Sequence, residues 1–235
     1  GGGCWPGFID LEGAIASSLK IRGHKVHAVI ADKTYFGHSN RDVWEENDKK
    51  SIKTKAELDF RLTKRKIRSF GINYSFFGEY VNKFEKKEAF EIASKINFDS
   101  LEEFKYKNID VGINIKSTIL RYLKGKEYTD KYKELLVEFT YASILNVIAA
   151  ENAIKILKPT IAFMSHGIYV DWGPALKIFM EKGIKSSAYI DAYRPGSFFF
   201  KHIKNPKSFD ILKLDTETWK KNKSDKINKF KMQEV

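Results

Sequence analysis

The sequence predicts an α/β protein with a Rossmann-like, doubly wound and mainly parallel sheet flanked by helices. Three observations predict it. Residues 160–190 read as strand, loop, helix and strand in about 30 residues, the spacing of a parallel crossover unit. Residues 1–31 read as a glycine-rich turn, a helix and a short buried strand. Long helical patterns separate the two units, as expected when helices cover a parallel sheet.

Taken in order, Leu11, Ala14, Ile15, Ser18 and Leu19 share one face of a helix, with Asp10 as its expected N-cap and Gly23 as its stop. The stretch at 25–31 is β-branched and reads as a strand. Such an opening ordinarily follows a first strand, and the chain starts at Gly1 without Met, so a strand is expected ahead of it. Residues 32–56 are polar and read as irregular. Residues 57–95 read as mostly helical with breaks near Gly71 and Gly78, and 99–107 and 128–158 read as helical. Phe139, Ile144, Leu145, Ile148, Ile154 and Leu157 are apolar positions of the longest, which Pro159 ends. A strand follows at 160–165, then a loop, a helix from about Asp171 to Lys182 and a strand at 184–190. The expected organisation is one acceptor-side domain over 1–214, with a helical insertion at about 57–158. Residues 215–235 read as a lysine-rich tail or linker to an absent C-terminal domain.

The net charge of +12 is concentrated. Residues 49–68 hold nine Lys/Arg against two Asp/Glu, and residues 201–235 hold ten Lys against five Asp/Glu. Two readings stand: a solvated lysine-rich surface, or attraction to anionic lipid, a phosphorylated substrate or nucleic acid. No recognised nucleic-acid-binding motif accompanies the charge, so a nucleic-acid partner is supported by charge alone. The single Cys4 excludes an internal disulfide and disfavours a zinc cluster. No apolar run is long enough to span a bilayer, and the N-terminus does not read as a signal peptide, so a cytoplasmic location is expected.

In an open parallel sheet, ligands bind beyond the carboxyl ends of the strands. Loops 1–7, 165–173 and 191–196 are expected there. Gly2, Gly3 and Gly7 allow close backbone approach to a ligand or form only a tight turn; they match neither GxGxxG nor the Walker pattern, and no cofactor or metal is predicted. His166, next to Gly167, is the sharpest candidate for a general base or a ligand of a hydroxyl group, against the alternative of a core histidine. Tyr169 and Trp172 wall a pocket or pack the core. Asp171 is a natural N-cap. Arg194, after Tyr193, clamps an anion or bonds loop carbonyls. Glu12 suits the first turn of its helix and also a cleft rim.

The string from Glu12 to His27, with its Arg22-Gly-His24, resembles the first helix and second strand of GT-B glycosyltransferases. The string from Lys158 to Pro174, with Ser165-His-Gly-Ile-Tyr169 and Trp172-Gly-Pro174, is similar to a segment of bacterial capsule and surface-polysaccharide biosynthesis proteins of that class. Tyr189 to Phe200 resembles the segment that follows, and Gly112 and Arg121-Tyr122 are compatible. The resemblance covers roughly two thirds of the chain. It implies the N-terminal half of a GT-B architecture, in a transferase moving a sugar from a nucleotide sugar to a saccharide or lipid-linked acceptor, without a bound metal. That half would bind the acceptor, with His166 as base or acceptor ligand. The nucleotide sugar would be held mainly by a missing C-terminal domain, so the fragment is expected to be inactive alone. The basic segment at 49–68 would meet anionic lipid at the inner face of the membrane. Related proteins carry cysteines where this chain has none, at 32–60. The alternatives are a non-catalytic α/β domain that binds nucleic acid or an anionic surface, and a sugar-nucleotide epimerase-like enzyme of the same fold.

Overall fold

The computed structural model describes residues 6–35, 49–192, 194, 196–203 and 211. Helix α1 (Pro6–Ile21) opens on a proline, which suits a first helical position. It stops at Gly23, whose φ of +87° lets the Gly23 and His24 amides bond back to Lys20 and Leu19. Asp10 does not cap this helix; it lies inside it and pairs with Lys66 at 2.6 Å. The buried face is also turned from the expected one. Ile9 and Gly13 are buried while Ala14 and Ser18 are exposed. Gly13 meets Phe70, whose ring would lie 2.2 Å from any Cβ there.

Strand β1 (His27–Ile30) pairs in parallel with β2 (Asn73–Phe76), and α2 (Lys49–Ser69) lies in the crossover. Two expectations are corrected here. Residues 49–56 are helical rather than irregular, and the break in the helical reading of 57–95 contains a strand. A 3-10 turn (Phe77–Tyr80) leads to α3 (Lys83–Ala93), capped reciprocally by Asn82 and Glu85.

Residues 99–107, expected to be helical, instead form a 3-10 turn (Leu101–Glu103) and the first strand of a small hairpin, β3 (Lys105–Tyr106) with β4 (Ile109–Asp110). Lys107 and Asn108 both have positive φ, the backbone a two-residue hairpin turn requires. Helix α4 (Gly112–Leu123) was not legible, and α5 (Lys133–Leu157) then runs to Lys158 and Pro159. Residues 142–150 of α5 are all buried, so the middle of this helix is covered around its whole circumference, with Ser143 and Asn146 as its polar members. The main core gathers on it, from Tyr35 through Leu101 and Ile119 to Ile178.

Strand β5 (Ile161–Ser165), helix α6 (Gly173–Glu181) and strand β6 (Lys185–Asp191) form the expected crossover unit, with β5 and β6 parallel. Strand β7 (Phe198–Ile203) returns antiparallel to β6, so the strand after loop 191–196 departs from the mainly parallel sheet that was expected. The chain is thus α/β, with helices and three small sheets ordered β1-β2, β3-β4 and β5-β6-β7, where one larger sheet was expected. Among the described residues no helix is long and apolar enough to cross a membrane.

Candidate functional site

The site starts where β5 ends. Ser165 is fully buried, His166 is 6% exposed, and Gly167 turns the chain with a φ of +71°. The loop is pinned from α4. The Asn114 side-chain amide donates to the Gly167 and Ile168 carbonyls at 3.1 and 2.7 Å. The Thr118 hydroxyl accepts from the Val170 amide at 3.1 Å and donates to the Asn114 carbonyl. Lys177 of α6 orients that same amide, donating to Asn114 Oδ1 at 2.9 Å and to the Asp110 carbonyl. Burial lowers the pKa of Lys177, opposed by the nearby Asp110 charge. Gly173 is required by this clamp, because a Cβ there would lie 2.0 Å from Asn114 Nδ2.

Asp171 does not serve as the expected cap. Trp172 holds the N-cap position of α6 with no side-chain cap bond, and Pro174 occupies its start. Asp171 is instead buried beside His166, where its charge favours the protonated imidazole. Burial outweighs this and, helped by the positive charge of Arg121, pushes the His166 pKa down to about 4. The imidazole lies edge-on against Tyr169 and Trp172, with ring centroids 5.1 and 5.0 Å away. Its Nδ1 accepts the Ile168 amide at 3.1 Å. A neutral ring that accepts at Nδ1 carries its proton on Nε2, so the free edge is a donor. No described residue bonds to Nε2.

Arg121, from the last turn of α4, places its guanidinium 4.6 Å from the centre of the Tyr169 ring. Its Nε is buried and without a hydrogen-bond partner among the described residues. Glu12 reaches the same end of the sheet: Tyr189 of β6, fully buried and opposite Ser165 in register, donates to Glu12 Oε1 at 2.9 Å. Burial and the Glu12 carboxylate raise the Tyr189 pKa, which keeps the phenol protonated. Phe163 stacks on the Tyr189 ring at 5.1 Å.

The structure therefore brings together His166, Gly167, Tyr169 and Trp172, and ties Glu12 to the strand beside them. Gly7 lies in the first turn of α1. Gly2, Gly3 and Tyr193 lie outside the described residues. Arg194 is exposed in the β6–β7 turn, where its carbonyl accepts from Ser197, and among the described residues it makes no bond to the His166 cluster. Asn114, Thr118, Arg121 and Lys177 were not found as site residues from sequence; they sit on other elements and form no motif, although Arg121-Tyr122 belongs to the resemblance. The remaining described histidines that bond across strands, His27 to Ser75 and His202 to Ser187, are structural. Among the described residues no group of three or more His, Cys, Asp or Glu is placed to hold a metal ion. An open groove of about 390 Å³, lined by Glu88, Glu91, Ile92, Lys95, Ile96 and Phe104, contains none of these residues. Comparison of the chain with protein-family models, with curated proteins and with solved structures finds no match to any of them.

Proposed function

We propose that the chain is the acceptor-side, Rossmann-like domain of a GT-B glycosyltransferase, acting on a saccharide or lipid-linked acceptor in surface polysaccharide synthesis. The observation that carries this reading is the parallel β5–α6–β6 unit. At its carboxyl edge a buried histidine, two aromatic rings and a carboxylate tied to the neighbouring strand gather in one place. That edge is where ligands bind in open α/β sheets. The second parallel pair, β1 with β2, supports a doubly wound sheet. Of the two rings, part-buried Tyr169 suits the apolar face of a sugar ring, whereas Trp172, 3% exposed, packs the core behind it.

Of the two roles expected for His166, the tautomer favours a hydroxyl ligand over a general base, because Nε2 presents a proton and not a lone pair. The nucleotide sugar would be bound mainly by a further domain. Helix α2 adds a basic surface: Leu58, Arg61, Leu62 and Arg65 are exposed together along one stripe, as peripheral contact with an anionic membrane requires.

The test is sugar transfer by the full-length gene product from a panel of nucleotide sugars to lipid-linked saccharides extracted from the producing cells. His166→Ala is expected to reduce transfer about a hundredfold, the size of effect seen when one positioned polar group is lost. His166→Gln, which keeps a donor, should retain more activity. If no nucleotide sugar supports transfer, the reading fails.

A further inference from the structure

We propose that Arg121 and His166 form an oxyanion-binding site, and that its ligand is a phosphoryl group carried by the substrate. The inference rests on reading the β5 edge as a ligand site; it names the ligand class and does not require sugar transfer.

Among the described residues, two nitrogen donors at this edge, Arg121 Nε and His166 Nε2, have no acceptor. One is the Arg121 Nε, buried and without a partner among the described residues. A buried guanidinium donor left unpaired is costly, and a phosphate or carboxylate is its usual complement. The other is His166 Nε2–H: Nδ1 accepts the Ile168 amide, which leaves the ring proton on Nε2, and among the described residues that proton has no acceptor. Both groups lean on one ring: the guanidinium lies over Tyr169 at 4.6 Å, and the imidazole meets the same ring at 5.1 Å. Tyr169 therefore holds the two donors in fixed relation.

The nearby backbone acceptors are already occupied. The carbonyls of Gly167 and Ile168 are taken by Asn114, and the carbonyl of Tyr169 by the amides of Trp172 and Gly173. What faces a ligand is a cation, a neutral N–H and an aromatic wall, with the Asp171 carboxylate close to the imidazole. An oxyanion accepts from both donors, and Arg favours phosphoryl oxygens by its fork geometry. The opposing charge is Asp171, which lies close enough to His166 to raise its pKa. It sets an electrostatic penalty on any bound anion, and this penalty gives the proposal a second handle.

The phosphoryl group has two chemical sources, a nucleoside diphosphate or a prenyl phosphate on a lipid-linked acceptor. The experiment titrates inorganic phosphate into the full chain and follows the ¹H–¹⁵N resonances of the His166 ring, with chloride at equal ionic strength as the control. Phosphate, and not chloride, is expected to shift the Nε2–H signal saturably. Arg121→Gln should raise the half-saturating concentration about tenfold, and Asp171→Asn should lower it several-fold. A nucleoside diphosphate and a short prenyl phosphate are then compared, and the one that saturates the same shift at lower concentration identifies the source. An unperturbed His166 signal in the wild-type chain overturns the proposal, and so does an Arg121→Gln protein that responds like wild type. The wild-type titration needs no variant to fold. Phosphate binding here without any transfer activity would sink only the glycosyltransferase reading; transfer with no phosphate response would sink only this one.

Discussion

The two parallel strand pairs end differently. After β1 the chain enters a closed knot: Asp32 accepts the Thr34 amide through Oδ1 and the Gly78 amide through Oδ2, each at 2.8 Å. Gly78 sits so close that a Cβ there would lie 2.4 Å from the Thr34 hydroxyl. After β5 the chain is held just as firmly, by Asn114 and Thr118, yet His166 Nε2 and Arg121 Nε remain without protein partners among the described residues. Similar strand geometry thus yields a self-satisfied turn in one place and a set of unspent donors in the other. Hydrogen-bond satisfaction, more than position on the sheet, separates the structural end from the candidate site.

Three measurements test whether the two strand ends differ in this way. The largest effect is expected from Asn114→Ala. It leaves two part-buried carbonyls and the Lys177 ammonium short of partners, so denaturant unfolding should show a loss of about 4 kcal/mol. A loss below that of an Asp32 variant would mean the β5 loop is not held by α4.

The next effect is a pH dependence. The folded pKa of His166 lies near 4 against 6.5 for the free group, so the folded chain binds fewer protons between these values. Its contribution is therefore complete above pH 6.5 and is lost as pH falls toward 4, by about 3 kcal/mol at pH 4. His166→Gln should flatten the stability profile across this window alone. An unchanged profile in the variant would show that His166 is not desolvated.

The smallest effect belongs to Asp32→Ala, which removes one acceptor from two amides at a half-buried site. A loss of about 2 kcal/mol is expected, with no change in the His166 ring resonances. Movement of those resonances would mean the two strand ends are coupled and the comparison false.

The parallel β5–α6–β6 unit was legible because its signals are local: a β-branched and aromatic strand, Pro159 before it, and Gly183 between helix and strand. The gathering of His166, Gly167, Tyr169 and Trp172 follows from their adjacency in that loop. What failed to show were elements whose identity is set from outside. Strand β2 spans four residues between two helical strings, and its strand character comes from pairing with β1. Helix α4 begins at Gly112 and carries β-branched residues at Ile113, Ile115, Thr118 and Ile119, which mute helix propensity. It forms because Ile115 and Ile119 are fully buried in the main core. Arg121 and Asn114 reach the site only because α4 packs beside the β5 loop, a contact between distant parts of the chain that no spacing rule encodes. The misread face of α1 has the same cause: Ser18 fitted the periodicity, but Phe70 and Ile67 select the side bearing Ile9 and Gly13.

Helix α5 carries a consequence for how this protein can be cut. With residues 142–150 shielded on every side, the middle of the helix has no wet surface on which to survive alone. The segments before it and after it each supply part of its casing, from Leu101, Ile115 and Ile119 on one side to Val170 and Ile178 on the other. Severing the chain at the α5–β5 junction would strip both pieces of a common interior. The described body should accordingly melt in a single step, and a shortened version lacking either flank should be recovered as aggregate and not as a smaller soluble unit.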